Sequence, residues 1–439
     1  MTHVRLCREL ALALLAGPWE VQALKARAGT ALGTQKPWLG RSIDRVMERF
    51  PGTQAPPLRT LLGYLINDDV FFIGSRKNRA TVHAILMAPT PMAPLPGAPA
   101  SWTVPKLETE SELCGWLDLP QDHLAWLADV HGRERQSPRE ALRNYRYTWI
   151  PKRSGGWRLL EIPKSKLKEV QRRLLSGLLD KIPAHPAAQG FRKGGSTYEF
   201  VLPHCGQHTV LRMDLADFFV SVQSSRVHAL FRTAGYSEAM ARLLTGLCTN
   251  SVPSRFLSPP DTSEQINPVQ RNLLRTPHLP QGAPTSPALA NLCAYRLDVR
   301  LSALARRFDW HYSRYADDLL FSGPRLGAPL TQQFQIWVGA AAIEEFFTAN
   351  MRKTRVMRRS SRQRAAGLVV NTKPNVSRAE FDRLKAILHN CVASGPAGQN
   401  RGDHPHFREH LLGRIGHIEH LNPGRGKTLR SLFERIRWT

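Results

Sequence analysis

Two adjacent carboxylates, Asp317 and Asp318, lie in the stretch His311-Tyr-Ser-Arg-Tyr-Ala-Asp-Asp-Leu-Leu-Phe-Ser-Gly323. The β-forming runs on either side, Tyr312 to Tyr315 and Leu319 to Ser322, predict a tight hairpin with both acids at its tip. Such acids either hold a metal ion or serve as ordinary turn formers, since Asp readily bonds its own backbone. A third carboxylate bears on the choice. In Leu211-Arg-Met-Asp-Leu-Ala-Asp-Phe-Phe219, alternation puts Leu211, Met213 and Leu215 on one face and Arg212 and Asp214 on the other. Asp214 then ends a core-forming strand, where an unpaired charge is costly and a metal, Arg or Lys is expected beside it. Asp217, past the strand, is expected to cap a following helix. Asp214 from a strand end and Asp317 from a neighbouring hairpin suit phosphoryl transfer to a nucleotide 3′-hydroxyl, which uses two divalent ions about 3.5 to 4 Å apart. Hard ions such as Mg²⁺ take carboxylate oxygens. Adjacent side chains diverge, so Asp318 is expected as a peripheral or structural partner of Asp317.

The elements that must hold these acids can be read along the chain. Tyr147 to Lys152 and Trp157 to Ile162 flank Arg153-Ser-Gly-Gly156, a hairpin signal with a flexible basic tip. Lys152 and Arg158 would project from it. Such cations clamp a triphosphate or a backbone phosphate, unless the hairpin is simply a solvated surface. A helix is expected from Lys164 to Leu179, and Gly190-Phe-Arg-Lys-Gly-Gly-Ser196 adds a second Gly-rich basic loop. Residues 251–276 read as a long polar loop. It runs into Leu279-Pro-Gln-Gly-Ala-Pro-Thr-Ser-Pro287, which leads into one helix with the apolar stripe Leu289, Cys293, Leu297 and Leu301. The helix N-terminus, with Gln281, Gly282 and Ser286, is expected to face the ligand side, where backbone N–H groups favour phosphate. A further helix is expected from Thr331 to Ala349. Beyond it, Met351 to Arg378 holds nine Lys or Arg and no acid. Charge runs are usually solvated faces, yet one without compensating acids suits a phosphate backbone. Gly367 to Val370 reads as a buried strand, and residues 378–439 as three helices with basic outer faces.

With 439 residues, 42% hydrophobic and 22% charged, the chain has room for two or three domains and reads as globular. Lys and Arg number 61 against 35 Asp and Glu, a formal +26 that a polyanion would offset. Nucleic acid is therefore the leading partner, ahead of an acidic membrane surface. There is no apolar run of the roughly 18 residues a membrane helix needs, and Leu10 to Ala16, behind Arg8 and Glu9, makes a poor signal peptide. The six cysteines are scattered without a C-x-x-C pair, which suits a reducing cytosol. Residues 1–105 are expected as a mostly helical extension ending in a linker with prolines at 89, 91, 94, 96, 99 and 105. Glu108 to Val130 has helical spacing, with Trp116 and Trp126 as core residues. His389, His404, His406, His410, His417 and His420 lie too scattered for a metal site and suit a surface or RNA contact.

Jointly, Asp214-x-x-x-x-Phe219, Leu279 to Pro287, Tyr315-Ala-Asp-Asp318 and a downstream Lys353 resemble the palm of a reverse transcriptase. The chain is most similar to the bacterial retron-type enzymes, including Gly367-Leu-Val-Val-Asn371, and the resemblance covers about residues 145–375. It implies an α+β right-hand polymerase: a helical extension and linker at 1–105, fingers and palm with an antiparallel sheet at 106–375, and a helical thumb at 376–439. The implied activity is RNA-directed DNA polymerisation on a structured noncoding RNA, in a retron and in anti-phage defence. The resemblance assigns Asp214, Asp317 and Asp318 as the catalytic triad on Mg²⁺, and Phe219 as the ring that excludes a 2′-hydroxyl and selects dNTPs. It sets Gln281 and Gly282 beside the incoming nucleotide and template, Lys353 at the leaving pyrophosphate, and Arg158 and Lys152 on the triphosphate. Implied partners are the RNA template and primer, dNTPs, the DNA product and a toxin or effector protein, with no membrane. Two departures concern motifs associated with handling the cognate RNA. Phe200-Val-Leu-Pro-His204 keeps only the histidine of Asn-Ala-x-x-His, and Ala365-Ala366-Gly367 stands where Val-Thr-Gly is usual. The alternatives are a non-retron bacterial reverse transcriptase in defence with another template, or an RNA-binding protein with an inactive palm. The three intact acids argue against the last, because they repel phosphates.

Overall fold

The computed structural model describes residues 3–84, 102–152, 155–260 and 266–438. The prolines at 89, 91, 94, 96 and 99 and the hairpin tip Arg153-Ser154 lie outside the described residues. The chain divides into two compact units, one of residues 1–93 with 107–113 and one of residues 94–106 with 114–439. In the first, helices His3–Leu15, Val21–Leu32, Pro37–Arg49, Leu58–Asn67 and Asp69–Lys77 bury one apolar stripe each, meeting at Leu10, Leu24, Ile43, Leu61 and Phe71. Asp68 caps the last of these by accepting from Phe71 N at 2.9 Å and pairs with Arg45 at 2.9 Å.

The second unit is built on an antiparallel sheet. A hairpin of β1 (Tyr145–Pro151) and β2 (Trp157–Pro163) precedes it. The sheet comprises β3 (Thr209–Ala216), β4 (His311–Tyr315), β5 (Asp318–Gly323), β6 (Thr348–Ala349) and β7 (Arg355–Arg358), in the order β4-β5-β3-β6 with β7 also on β3. β8 (Arg364–Ala365) and β9 (Leu368–Val369) form a small separate hairpin. β3 is flanked on both edges, and its Thr209-Val-Leu-Arg-Met-Asp-Leu-Ala216 sequence is buried everywhere except at Arg212 and Ala216. Both faces of the sheet are covered. Phe321 packs on Phe334 of helix Ala328–Glu344 with ring centroids 5.2 Å apart. Val210 and Leu320 share a core with Leu384, Leu411 and Leu429 of the C-terminal helices Arg378–Ser394, Phe407–Leu421 and Pro423–Phe433.

Several expected boundaries shift for physical reasons. Glu108 to Val130 holds two helices, Glu110–Leu117 and Gln121–Ala128, parted by Asp118 at φ 53° and by Pro120. The polar stretch 251–276 contains helix Pro268–Arg275, started by Pro268 and capped by Asn267, whose side chain accepts from Val269 N. The helix after Pro287 breaks at Ala294 into Ser286–Cys293 and Tyr295–Arg307, where Arg226 takes the Cys293 carbonyl at 2.6 Å. The helix expected at Thr331 to Ala349 spans Ala328–Glu344, and Thr348 and Ala349 pair with β3 instead. The basic run after Met351 is partly strand, β7. No helix among the described residues is long and apolar enough to cross a membrane.

Helices Gln121–Ala128 and Glu238–Cys248 meet backbone to backbone, since a Cβ on Gly246 would lie 2.0 Å from Ala128 O. Gly246→Ala is expected to destabilise the fold by about 1–3 kcal/mol by forcing the helices apart. Gly63→Ala, on a helix with nothing within 4 Å of the added carbon, is expected to be neutral or slightly stabilising. Urea midpoints of the two variants against wild type check this.

Candidate active site

The register of the sheet brings the acids together. β3 and β5 pair Asp214 with Asp318, and β4 and β5 pair Tyr315 with Asp318, leaving Ala316 and Asp317 as a two-residue turn. Ala316 takes φ 55°, a conformation that such hairpins normally give to Gly, so the turn is strained by roughly 1 kcal/mol or more. Neighbours hold it there. Leu215 N donates to Asp317 O at 2.8 Å, tying the tip to β3. Gly190 lies against the turn so closely that a Cβ would sit 2.9 Å from Ala316 N.

Each acid has a different charge environment. The Asp214 carboxylate accepts two bonds from Lys353 Nζ, at 2.9 and 3.1 Å, the cation that a buried strand-end acid requires. Its backbone carbonyl accepts from Asn350 N at 2.7 Å. Asp318 is held by the Arg212 guanidinium through bonds of 2.9, 2.7 and 3.0 Å. Asp317 has no ion pair among the described residues. Burial first, then the Asp214 carboxylate, raise its pKa, with Asp318 adding to the rise and Lys353 opposing it. Burial also raises Asp318, against Arg212. Among the described residues no group of three or more His, Cys, Asp or Glu converges as a ready metal site. The donor chemistry nevertheless suits a hard divalent ion at Asp214 and Asp317, because these crowded carboxylate oxygens repel one another and a cation relieves that repulsion.

Asp217 does not cap a helix. It turns the chain at φ 49° and accepts from Gln270 Nε2 at 2.8 Å, while the next helix starts only at Ser224. Burial raises the Asp217 pKa, and Lys152, the Gln270 bond, Lys353 and Arg158 oppose the rise, so all three cations act on this side of the site. Phe219 is half-buried against Phe218 and Phe191, at centroid distances of 5.6 and 6.0 Å, and Phe191 also reaches Tyr315 at 6.1 Å. Gln281 and Gly282 are tied to β2, with Glu161 N donating to Gln281 O at 2.9 Å. Gly282 has φ 135°, and a Cβ there would lie 2.8 Å from Glu161 O. Ser286, expected to face a ligand, is buried and donates to Pro280 O at 2.7 Å, closing the turn ahead of its helix.

Two residues behind the acid hairpin have structural places that the sequence did not show. Arg314 is fully buried in β4 and binds Asp298 through Nε at 2.8 Å and a terminal nitrogen at 2.6 Å. Its other terminal nitrogen donates to Asn291 at 2.9 Å and to Ala316 O at 3.1 Å. An alternating strand gave no sign that this arginine points inward. His204, read through a motif for RNA handling, has no exposure at all. It bridges β5 and β4, with Nδ1 at 2.7 Å from Ser322 Oγ and Nε2 at 2.7 Å from Ser313 Oγ. Ser313 donates onward to Phe200 O at 2.8 Å, so it accepts from His204 Nε2–H, and Nδ1 accepts from Ser322. His204 thus clips the two strands of the acid hairpin.

An acid ending the central strand of an antiparallel sheet, beside an Asp-Asp turn with cations converging on it, is the arrangement of a polymerase palm. Residues 150–377, just over half of the chain, match the family described as reverse transcriptase (RNA-dependent DNA polymerase), and the chain belongs to that family. It is similar to the Retron Mx65 reverse transcriptase of Myxococcus xanthus, 41% identical over 296 residues, covering 66% of this chain and 65% of that protein. The Retron Mx162 reverse transcriptase of the same organism is 36% identical over 293 residues, covering 63% and 58%. The Retron Ec86 reverse transcriptase of Escherichia coli is 29% identical over 263 residues, covering 59% and 74%. The chain therefore spans under two thirds of the length of both Myxococcus relatives. A foamy viral protease-reverse transcriptase solved with an RNA/DNA hybrid is 15% identical, with a TM-score of 0.33 over 68% of this chain and 32% of that one.

Burial, and next the charge on His311, push the His204 imidazole down to about 3 from 6.5. Below about pH 6.5 the unfolded chain binds a proton that the folded chain refuses, so this group lowers stability as pH falls, by up to about 1.4 kcal/mol per unit. His204→Asn is expected to remove that share of the acid slope. Urea-unfolding free energies between about pH 7 and pH 5 should show the wild type losing stability more steeply. Equal slopes would mean that His204 is not held neutral.

Proposed function

We propose that the chain is an RNA-directed DNA polymerase acting at the β3–β5 acids with divalent ions, Mg²⁺ being the match for oxygen-only donors. The observation that carries this reading is the crowding of Asp214 and Asp317 at one end of the sheet, with Lys353 within hydrogen-bond reach of Asp214 and acting on both. Buried, mutually repelling carboxylates are a standing cost that a divalent cation offsets. Asp214 and Asp317 would hold the ions, which when bound supply activation of the attacking primer hydroxyl and neutralisation of the leaving pyrophosphate.

The remaining roles belong to the protein's own groups. Lys353, with half of its side chain exposed, would exchange Asp214 for an oxygen of the leaving pyrophosphate. Lys152 and Arg158 would clamp the triphosphate. Asp318, paired with Arg212, would fix the hairpin register on β3 and complete the catalytic set. Phe219 would lie below the sugar and exclude a 2′-hydroxyl, making dNTPs the substrate, while Gln281 and Gly282 border the nucleotide and its template. Similarity to retron enzymes and the net charge of +26 support a structured noncoding RNA as template and primer. The same similarity supports a cytoplasmic role within a retron in anti-phage defence, with a toxin or effector protein as a further partner. A non-retron template is the second reading, favoured by the altered segments Phe200 to His204 and Ala365 to Gly367.

Primer extension on an RNA template with dNTPs and Mg²⁺ tests the activity. Wild type should incorporate nucleotide, and Asp317→Ala with Asp318→Ala should fall by roughly 10³-fold or more, as expected when charge stabilisation at the reacting phosphate is removed. No incorporation by wild type sinks the polymerase reading, and equal incorporation by the variant removes these acids from it. Phe219→Ala should raise rNTP incorporation relative to dNTP by about tenfold or more, and unchanged sugar selectivity would take Phe219 out of its role.

A further inference from the structure

Glu161 and His278 form a junction that none of the roles above uses. Both side chains are fully buried, and His278 Nε2 lies 2.9 Å from Glu161 Oε1. His278 Nδ1 lies 2.7 Å from Thr276 O, which can only accept, so Nδ1 carries a hydrogen. The second Glu161 oxygen accepts from Asn250 Nδ2 at 2.7 Å, and Asn250 also donates to the Tyr147 hydroxyl at 3.1 Å. A neutral ring with its hydrogen on Nδ1 would turn the bare lone pair of Nε2 toward an ionised carboxylate. The contact therefore needs one more proton, shared between the imidazole and the carboxyl group.

Backbone bonds spread the junction over four segments. Glu161 N donates to Gln281 O at 2.9 Å, His278 and Asn250 exchange two bonds of 2.9 Å each, and Leu279 N donates to Val222 O at 3.1 Å. Glu161 lies on β2, the strand that carries Arg158, and His278 stands three residues ahead of Gln281. Resting on the reading of the site as a polymerase, we propose that Glu161 and His278 are positioning residues. Their shared proton locks the Gln281–Gly282 loop to the Lys152–Arg158 hairpin, so that the groups bordering the nucleotide and those clamping its triphosphate are held as one body.

Burial by itself lowers the His278 pKa, and the charge and hydrogen bond of Glu161 outweigh it, with Thr276 O adding to a net rise. The other ionisable groups around the junction are Tyr145 and Tyr147, both raised by burial, with Glu134, raised to about 7, and Cys248, raised to about 12, beside the tyrosines. Glu161 is the one carboxylate acting on His278. With the His278 value raised above 6.5, the lock is complete below about pH 6.5 and is lost as pH rises through the raised value.

Amide hydrogen exchange of residues 279–283 in the full-length protein, joined to steady-state kinetics, tests this. Glu161→Gln keeps an acceptor for Asn250 and offers an N–H to bare Nε2, so its junction needs no shared proton. Between about pH 6.5 and pH 9.5, exchange of the loop in wild type relative to Glu161→Gln at the same pH should rise roughly tenfold, the scale of one unpaired buried group. A constant ratio overturns the proposal. Glu161→Ala should raise KM for dNTP by about five- to tenfold while kcat changes less than about threefold, and an unchanged KM in folded protein also overturns it. Should Glu161→Ala not fold, the exchange ratio alone decides. Should wild type incorporate no nucleotide, the polymerase reading fails, and the exchange ratio still decides whether the lock exists.

Discussion

Arg314 has no access to solvent, and the carboxylate that answers its charge, Asp298, has none either. Taking two such groups out of water is expensive, and their attraction offsets this only when the leftover hydrogens and lone pairs are also used. Here they are. The guanidinium bonds Asp298 twice, Asn291 once and the Ala316 carbonyl once, and Asp298 accepts a further bond from Tyr312 at 2.8 Å. Burial pulls the Arg314 pKa down, and Asp298 more than reverses it, so the charge stays fixed beneath the hairpin. Through these bonds helix Ser286–Cys293, helix Tyr295–Arg307, strand β4 and the acid turn share one centre. Asn291 carries it further by donating to Gly190 O at 2.7 Å, which sets the Gly-rich loop against the turn. A strained Ala316 persists because this network over-determines its position.

Above that fixed charge, the acids differ in the cations they find. Asp214 and Asp318 each have a partner from a different part of the chain, Lys353 after β6 and Arg212 within β3. The two pairs differ in kind. The guanidinium of Arg212 grips Asp318 through several bonds and resists exchange, whereas the ammonium of Lys353 is a mobile point charge on a half-exposed stem. Asp317, with no ion pair among the described residues, is the acid with most to gain from a metal. The charge environment thus separates Asp317 from Asp318, which is paired with Arg212.

What was legible in the sequence was what short-range pattern encodes. Period-two alternation marked β3, the acid hairpin and the β1–β2 hairpin, and proline marked the helix start at Pro287, whereas the helix that starts at Pro268 was missed inside a stretch read as a polar loop. The need of Asp214 for a cation was legible from burial alone. Its identity was not, because Lys353 lies 139 residues away and resemblance alone singled it out. Strands β6 and β7 were lost for the same reason, being short and defined only by pairing with β3. Arg314, His204 and Glu161 look like surface residues in an alternating or polar stretch, and only the fold reveals that each is buried with its polar atoms paired.

Glycine is where the sequence reading and the structure differ most in meaning. A Gly-rich loop suggests a flexible cradle for phosphate, and both the Gly-rich loop at Gly190 and the turn at Gly282 border this site. Gly190 and Gly282 are instead points of close packing, where the missing Cβ admits Ala316 N and Glu161 O respectively. The turn with the acids and the Gly190 loop therefore touch through backbone, as do the loop at Gln281 and the hairpin with Arg158, and each spacing is set by main-chain atoms rather than by side chains. That is a demanding arrangement for catalysis that depends on ångström-scale positioning. It assigns flexibility to the long cations Lys152, Arg158 and Lys353 and rigidity to the loops beneath them, with the buried Glu161–His278 contact joining two of those loops where backbone approach alone would leave a hinge.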